Sequence, residues 1–330
     1  MTSAMPPSDP QVHAVIDRYR TCEFATLSKS GVPIAWPTAS LYRPDGTFLI
    51  TASIALPQKA FNIRRDGRVA MLFSEPMASG LDGAPQVLVQ GTASCPDEIV
   101  TDVRANEEYW RRLHERQPFN KTYAANALTR RLFDWYYMRL LITVTPSVWS
   151  TRPPLPAGPA TETSGVPAGV SGEALAQLAT YPSAVLASRA DDGMPTLRRV
   201  RVMGPGAAGR LRLYVPPGEE LRPGPASLLA HSHDQDLWSL RSVVVVGELI
   251  DTDVWTFRPE RIVGGGGKAG PLVVLKQLTA LRRTARNYLE KRGLERPPIP
   301  WDGVRALKTE VRAGGTGRSP ERAAGRPSSP

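Results

Sequence analysis

The sequence is poor in cysteine and lysine and lacks any long hydrophobic run. Cys22 and Cys95 are the two cysteines in 330 residues, which excludes a disulfide framework and predicts two reduced thiols. No apolar stretch approaches the roughly 18–20 residues that a membrane helix needs, and the N-terminus lacks the basic and apolar regions of a secretory signal. We therefore expect a cytoplasmic protein that does not contact a membrane.

The scarcity of lysine contrasts with an abundance of arginine, and the formal net charge is +10. From Arg282 to the C-terminus there are 12 Lys and Arg but five Asp and Glu. Most of the positive excess therefore lies in this segment, whereas a nucleic-acid site concentrates basic residues on a folded domain. We expect a solvated basic helix and tail, and no nucleic-acid partner.

The two halves of the chain repeat one order of predicted elements. Each half reads as a strand, a Gly-X-Pro turn, a pair of strands, a short apolar strand and a strand that runs into glycine. Similarity at such a long period changes the whole fold prediction, and short strands crossed by a helix suggest two small barrels. The matching segments are 23–36, 45–53, 68–73 and 86–91 in the first half and 183–196, 209–215, 226–230 and 242–249 in the second.

The predicted domains are a first barrel over 11–150, a Pro/Gly-rich linker over 151–172, a second barrel with a helix over 173–312, and a disordered tail over 313–330. Apolar spacing and flanking Pro, Asp and Gly residues predict helices at 11–21, 57–66, 97–117, 122–137 and 271–292. The strands expected to close the barrels are Leu140–Thr145 and Asp253–Phe257.

The first half carries a set of ordered motifs: Gly31-Val-Pro33, Asp45-Gly46 with Thr51, Gln58-Lys59-Ala-Phe-Asn62, Asp66-Gly-Arg-Val69 and Gln86-Val-Leu-Val-Gln-Gly91. This set resembles the pyridoxamine 5′-phosphate oxidase-like family of FMN-binding split barrels, which includes relatives that use a deazaflavin coenzyme. The resemblance covers residues 20–150 well and 175–263 weakly. It implies an α+β fold, mainly β with added helices, in which two tandem split β-barrels form an internal pseudo-dimer. A homodimer of the chain is a further alternative.

The resemblance also implies a set of cofactor-binding residues: Trp36, Pro37, Thr38, Thr51, Lys59, Asn62 and Gln86. The strand that holds Trp36 would lie along the isoalloxazine edge, and the Gln86 amide would meet the flavin ring. Thr51 and Lys59 would hold the phosphate, since a cation at a helix N-terminus favours an anion, and Asn62 would follow one turn later. The alternative is an ordinary barrel with a solvent-exposed lysine, a capping threonine and a core tryptophan.

The second half departs from this pattern where the phosphate site would be. Thr51 and Val69 are 18 positions apart, whereas the matching interval from Tyr214 to Ser227 is 13. The shorter segment carries prolines with Glu219 and Glu220, which would repel an anion. We expect the second half to be a partner surface for the first. Arg198, Arg199 and Arg201 would then face the first half's ligand, with Arg199 and Arg201 on one face of their strand. The alternative is an arginine-rich face turned toward solvent.

Two further motifs are weak. His231 and His233 have a spacing that suits a metal, but no third His or Cys is near in sequence, so we expect no metal site. The segment Gly264–Lys268 imitates a phosphate loop. However, Ile262 stands where the first glycine belongs and Ala269 replaces the Ser or Thr that would hold magnesium. We interpret this segment as a flexible connection.

No acid–base dyad or nucleophile–base pair stands out in the sequence, so no catalytic residue is assigned. A flavin performs hydride chemistry itself, and the protein then needs to bind and orient it. The resemblance predicts an FMN-dependent oxidoreductase with a small-molecule substrate, and a nicotinamide donor is left open. The alternatives are a reductase that uses the deazaflavin coenzyme F420 and a non-catalytic flavin-binding or sensing protein.

Overall fold

The computed structural model describes residues 2–3, 8–117, 123–165, 168–217, 221–237, 240–264 and 271–315. Their strands are β1 (Thr2–Ser3), β2 (Cys22–Leu27), β3 (Pro33–Thr38), β4 (Ser40–Tyr42), β5 (Phe48–Ser53), β6 (Arg68–Phe73), β7 (Gln86–Ser94), β8 (Arg139–Arg152), β9 (Ala184–Arg189), β10 (Pro195–Pro205), β11 (Leu211–Tyr214), β12 (Gly224–Ser232), β13 (Arg241–Ile250) and β14 (Thr256–Gly264). Their α-helices are α1 (Pro10–Arg18), α2 (Gln58–Arg65), α3 (Glu107–Arg116), α4 (Ala127–Tyr137), α5 (Val170–Leu178), α6 (Pro271–Glu290) and α7 (Trp301–Gly315).

The first half is an antiparallel sheet that curls on itself. Its strand order is β3-β2-β6-β7-β8-β5-β4, with β1 added beside β8. The chain passes from β3 to β4 through Ala39 alone, so the two outer strands of this order are nearly continuous and the sheet curls around its core. Alternate side chains point inward, and the fully buried Phe24, Phe48 and Trp149 fill the centre.

The second half is a closed barrel with the order β10-β11-β14-β13-β12-β9. If β3 and β4 are counted as one interrupted strand that matches β10, the two halves have the same strand order. The second core is built from aliphatic side chains and Phe257, in place of the larger aromatic residues of the first. The predicted α+β fold with two tandem split barrels is confirmed.

The two halves pack face to face through a cluster of small and branched side chains. Ala25, Ala35 and Ala70 of the first half meet Val185 and Leu197 of the second, and all are essentially inaccessible. Small residues let the strands approach closely, and a buried hydrogen bond joins the Ser227 hydroxyl to the Pro33 carbonyl at 2.7 Å. This packing is the internal pseudo-dimer that the resemblance implied.

The two halves differ between their third and fourth barrel strands, when β3 and β4 are counted as one. Helix α2 connects β5 to β6, whereas the described residues between β11 and β12, 215–217 and 221–223, form no helix. Pro216, Pro217 and Pro223 account for this, because proline lacks the amide hydrogen that a helix needs. Glu219 and Glu220 lie outside the described residues.

The C-terminal helices pack on the first half. Tyr288 and Leu289 of α6 join the core of the first half, and Val304 and Leu307 of α7 are fully buried beside α3 and α4. Helix α7 was not predicted, although Val304, Leu307 and Val311 carry the helical spacing that signals it. Among the described helices, none combines the length and the apolar character needed to cross a membrane.

Several predicted boundaries need correction. The strand predicted at Asp253–Phe257 begins at Thr256 and continues to Gly264, because residues 252–254 form a bend. The helix predicted from residue 97 begins as a 3-10 turn at Val103 and becomes α-helical at Glu107. Helix α4 starts at Ala127, since Asn126 and Thr129 form a reciprocal cap there. The tail predicted over 313–330 starts too early, because α7 continues to Gly315. The rest of that tail, 316–330, and residues 265–270 of the predicted flexible connection lie outside the described part of the chain.

Candidate cofactor site

The strongest candidate site is centred on Lys59, in the first turn of α2. Its ammonium Nζ donates a hydrogen bond to Thr38 Oγ1 at 3.0 Å, which links the helix to the end of β3. Pro57 occupies the N-cap position of α2 and makes no side-chain cap. The first N–H groups of a helix have no partner within the helix, so Lys59 and the start of α2 present donors to the same region.

The electrostatics of this region favour an anion. Burial lowers the pKa of the Lys59 ammonium to about 8, and the neighbouring Arg139 acts in the same direction. Within the described parts of the chain, neither cation lies within ion-pair distance of a carboxylate. The Arg139 Nε is buried without a hydrogen-bond partner there, and its guanidinium lies 4.1 Å from the Tyr136 ring centre. Burying the charges of Lys59 and Arg139 without a counter-charge costs free energy. A bound anion would reduce that cost.

Thr51 lies at the end of the β4–β5 pairing that is near Thr38. Ser40 pairs with Ile50 in this antiparallel ladder, so Thr38, two residues before Ser40, and Thr51, one residue after Ile50, approach the same end. The buried Thr51 hydroxyl donates to the Tyr109 hydroxyl at 3.2 Å. The structure thus brings Thr38 to Lys59 directly, and it places Thr51 on the side where α3 covers the barrel.

The amide of Asn62 is used inside the protein. Its Nδ2 donates to Thr26 Oγ1 at 2.8 Å, and its Oδ1 accepts from Gln58 at 2.8 Å and from Arg65 at 3.0 Å. Asn62 is fully buried. These bonds hold α2 against β2, so in this structure Asn62 supports the helix that carries Lys59, and a direct role toward a cofactor stays a prediction.

Gln86 lies in a different place from Lys59. It is buried at the start of β7, and its Nε2 donates to the Pro153 carbonyl at 3.0 Å. It lines a cavity between the two halves together with Arg199 and Arg201. The structure therefore gives no contact between Gln86 and the Lys59 region, and its role at a flavin ring stays a prediction.

Trp36 and Pro37 are half-buried on β3. Trp36 lies opposite Phe24, and Pro37 lies opposite Glu23, in the β2–β3 ladder. The Trp36 carbonyl accepts a hydrogen bond from Thr38 Oγ1 at 3.2 Å. The strand thus leads from the interface between the halves to the hydroxyl that Lys59 contacts.

Sequence reasoning missed a buried ion pair at the interface between the halves. Glu23 is fully buried on β2, and its carboxylate accepts hydrogen bonds at 2.9 Å from both Arg199 and Ser74. His231 Nε2 lies 2.8 Å from the same carboxylate. Burial by itself would raise the pKa of Glu23, but the hydrogen bond from His231 and the Arg199 charge outweigh burial and hold the pKa below its usual range. The sequence signal that could have revealed this pair is a lone glutamate in the otherwise uncharged strand β2.

The histidine pair does not assemble a metal centre among the residues that the structure describes, where no group of three potential ligands converges. His231 faces Glu23 across the interface. His233 Nδ1 lies 2.9 Å from the Asp234 carbonyl. Burial lowers the pKa of His233, which favours the neutral ring.

The donors around Lys59 suit a phosphate. They comprise one ammonium, the hydroxyl of Thr38 and the uncapped start of α2, with Arg139 close by, and they present no negative charge among the described residues. Such a set can bind an anion, and apart from Lys59, whose pKa is lowered to about 8, it offers no general base or nucleophile. Any reaction here would depend on chemistry that a bound group supplies.

Comparison with known proteins gives one family. Residues 8–138 match the family model described as pyridoxamine 5′-phosphate oxidase. This range contains α1 through α4 and all seven predicted cofactor-binding residues. No curated protein matches the chain.

Three solved structures illustrate the range of similar folds. An F420 reductase is 19% identical over 44% of this chain and 98% of its own, with a TM-score of 0.28. A pyridoxamine 5′-phosphate oxidase-like protein from Listeria innocua is 16% identical over 43% and 94%, with a TM-score of 0.29. An FAD-binding protein from Mesorhizobium loti is 14% identical over 46% and 96%, with a TM-score of 0.30. At such values none of these likenesses identifies an activity of this chain.

Proposed function

We propose that this chain, whose residues 8–138 belong to the pyridoxamine 5′-phosphate oxidase-like superfamily, is an oxidoreductase that binds FMN with the cofactor phosphate at Lys59. The observation that carries the proposal is the hydrogen bond of 3.0 Å from Lys59 to Thr38 at the uncapped start of α2. Both cations of this region lack a carboxylate partner among the described residues. A phosphate dianion would supply the missing charge.

The chain's own residues would bind and orient the cofactor. Lys59 would neutralise the phosphate, and the Thr38 hydroxyl, which now accepts from Lys59, would turn to the phosphate as a donor. Thr51 would reach the same group if its hydroxyl left Tyr109. When bound, FMN supplies the hydride chemistry. Trp36 and Pro37 would border the ring on β3, and Asn62 would keep α2 in place.

The deazaflavin coenzyme F420 is the second candidate, because its acidic tail would also be favoured by Lys59 and Arg139. Titration of the purified, cofactor-free chain with FMN and with F420 separates the two. We expect FMN to bind more tightly and to give a yellow complex that absorbs near about 450 nm. A chain that binds F420 more tightly than FMN would overturn the choice of cofactor.

Catalysis is separated from mere binding by reduction kinetics. We expect NADH or NADPH to reduce the bound FMN, and oxygen or an added acceptor to reoxidise it over repeated cycles. A complex that stays oxidised with both donors would support a flavin-binding or sensing protein. The substrate is not assigned, because one fold serves many reactions.

A further inference from the structure

The cavity that Gln86 lines is separate from the Lys59 region and lies where the two halves meet the linker. Its volume is about 380 Å³, within the roughly 300–1,000 Å³ of small-molecule pockets. The walls come from Tyr19 just after α1, from the loop between β6 and β7, from the linker, from the segment before β9 and from β10. The cavity therefore exists only when the halves are packed together. The lining residues used below are Tyr19, Glu75, Gln86, Ala157, Arg199 and Arg201.

Arg201 is the unusual member of this lining. The residue is 7% exposed, one Nη2 hydrogen donates to the Pro156 carbonyl, and the guanidinium lies 5.2 Å from the Tyr214 ring centre. In the described part of the chain no carboxylate pairs with Arg201. A buried guanidinium without a counter-ion is costly, and its remaining N–H donors are geometrically suited to a carboxylate.

The other charged groups of the cavity already have partners. Arg199 donates to Glu23 at 2.9 Å and lies 3.3 Å from Glu75, so these three charges interact with one another. Burial raises the pKa of Tyr19 to about 12, which leaves its hydroxyl protonated at neutral pH. Proline, alanine, glycine and leucine form much of the remaining wall. The lining therefore offers one cation without a counter-charge within a largely apolar space.

The linker holds this space in shape. The Thr161 hydroxyl donates to the Val202 carbonyl at 2.8 Å, and the Glu162 amide donates to the Met203 carbonyl at 2.9 Å. At Gly158 a Cβ atom would overlap the Arg201 guanidinium, so the linker backbone lies directly against this side chain. The linker and the strands that line the cavity are thus held in place before any ligand binds. The entropic cost of ordering them on binding is therefore small.

We propose that this cavity binds a small organic acid with an apolar body, whose carboxylate pairs with Arg201. The proposal does not depend on the cofactor, since it uses neither Lys59 nor the start of α2. Gln86 would lie beside the bound acid.

Calorimetric titration of the full chain with benzoate, benzamide, hexanoate and hexanamide tests the proposal. We expect at least one acid to bind at least tenfold more tightly than its amide. Arg201→Gln should lower the affinity for that acid at least tenfold, as expected for loss of a charge-assisted hydrogen bond. Its affinity for the amide should not change. Arg241→Ala, which removes an exposed arginine of β13, is the matched control and should bind as the wild type does.

Three outcomes would overturn the proposal. The acid and its amide could bind with equal affinity, Arg201→Gln could bind the acid as tightly as the wild type does, or neither acid could bind. If Arg201→Gln does not fold, Ala157→Phe gives an independent answer, because it fills the cavity from the linker and leaves Arg201 in place. We expect Ala157→Phe to bind the acid at least tenfold more weakly. An affinity like that of the wild type would place the acid elsewhere.

Discussion

The two halves share one strand order but differ in the segment that joins the third and fourth barrel strands. In the first half this segment is α2, which carries Lys59 and is held on β2 by the Asn62 amide. In the second half the described residues of the segment form no helix and are interrupted by prolines. We therefore assign the proposed anion site to the inserted helix and not to the barrel alone.

A second difference lies in the matching ladders that form the interface. Ala25 pairs with Ala35 in the first half, and Ala187 pairs with Leu197 in the second. Two residues farther along, Glu23 faces Pro37 in one ladder, whereas Val185 faces Arg199 in the other. The negative charge of one half thus meets the positive charge of the other. In two copies of the first half packed in this way, Pro37 would stand where Arg199 stands, so each buried Glu23 would lack its cation.

The largest effect should come from breaking this complementarity. Arg199→Ala leaves Glu23 buried without its cation, and we expect a loss of about 3–5 kcal/mol in the free energy of unfolding. Urea denaturation measures the loss. Arg212→Ala is the control, because its ion pair with Glu162 is solvent-exposed and should contribute at most about 1 kcal/mol. Similar losses in the two variants would show that the interface does not depend on the Glu23–Arg199 pair.

The next effect separates the supporting role of Asn62 from a role in binding. Asn62→Ala leaves the Thr26 hydroxyl and the Gln58 amide without a buried partner, and we expect a loss of about 1–3 kcal/mol in stability. FMN affinity, measured below the unfolding transition, should change less than threefold. A tenfold or greater loss of affinity in a folded Asn62→Ala protein would make Asn62 a direct ligand.

A smaller effect should appear in the pH dependence of FMN binding. The Lys59 pKa of about 8 lies below its ordinary value, so the ammonium is progressively lost as pH rises through 8. FMN affinity should fall by up to about tenfold per pH unit above pH 8, and it should be nearly flat there in Lys59→Ala. The stability of the cofactor-free protein should change with pH in the opposite direction to the affinity. Between the folded and unfolded pKa values of Lys59 the unfolded chain binds more protons, so the free energy of unfolding should rise with pH. Affinity that is constant from pH 7 to 9.5 in the wild type would contradict a charged Lys59 at the phosphate.

The strands and helix α2 could be predicted from the sequence because local residue patterns encode them. Alternating apolar residues and the Gly-X-Pro turns predicted the strands of both halves, and the apolar spacing after Pro57 predicted α2. Lys59 and Thr38, both assigned to the cofactor site from the resemblance, are in contact, and their role toward a cofactor stays a prediction. Boundaries were less accurate where a cap or bend decides them, as at Asn126 and residues 252–254.

The remainder depends on partners that are distant in sequence. Asn62 lies one turn from Lys59, but its amide turns to Thr26 on β2, and no local pattern reveals that choice. Gln86 faces the other half and the linker because β7 begins at the interface. Glu23 and Arg199 are 176 positions apart, so their pairing follows only from the packed halves.

The most direct test of the central claim is the FMN affinity of three proteins: the wild type, Lys59→Ala and a variant in which Glu219 and Glu220 are both alanine. We expect Lys59→Ala to lose about 10- to 150-fold in affinity, corresponding to roughly 1.5–3 kcal/mol for a charge-assisted hydrogen bond. The sequence predicts that the double variant of the second half binds within about twofold of the wild type, since the second half carries no counterpart of Lys59 and changes at independent sites do not couple. Equal affinity of wild type and Lys59→Ala, or a greater loss in the double variant, would contradict the assignment of the cofactor phosphate to the first half.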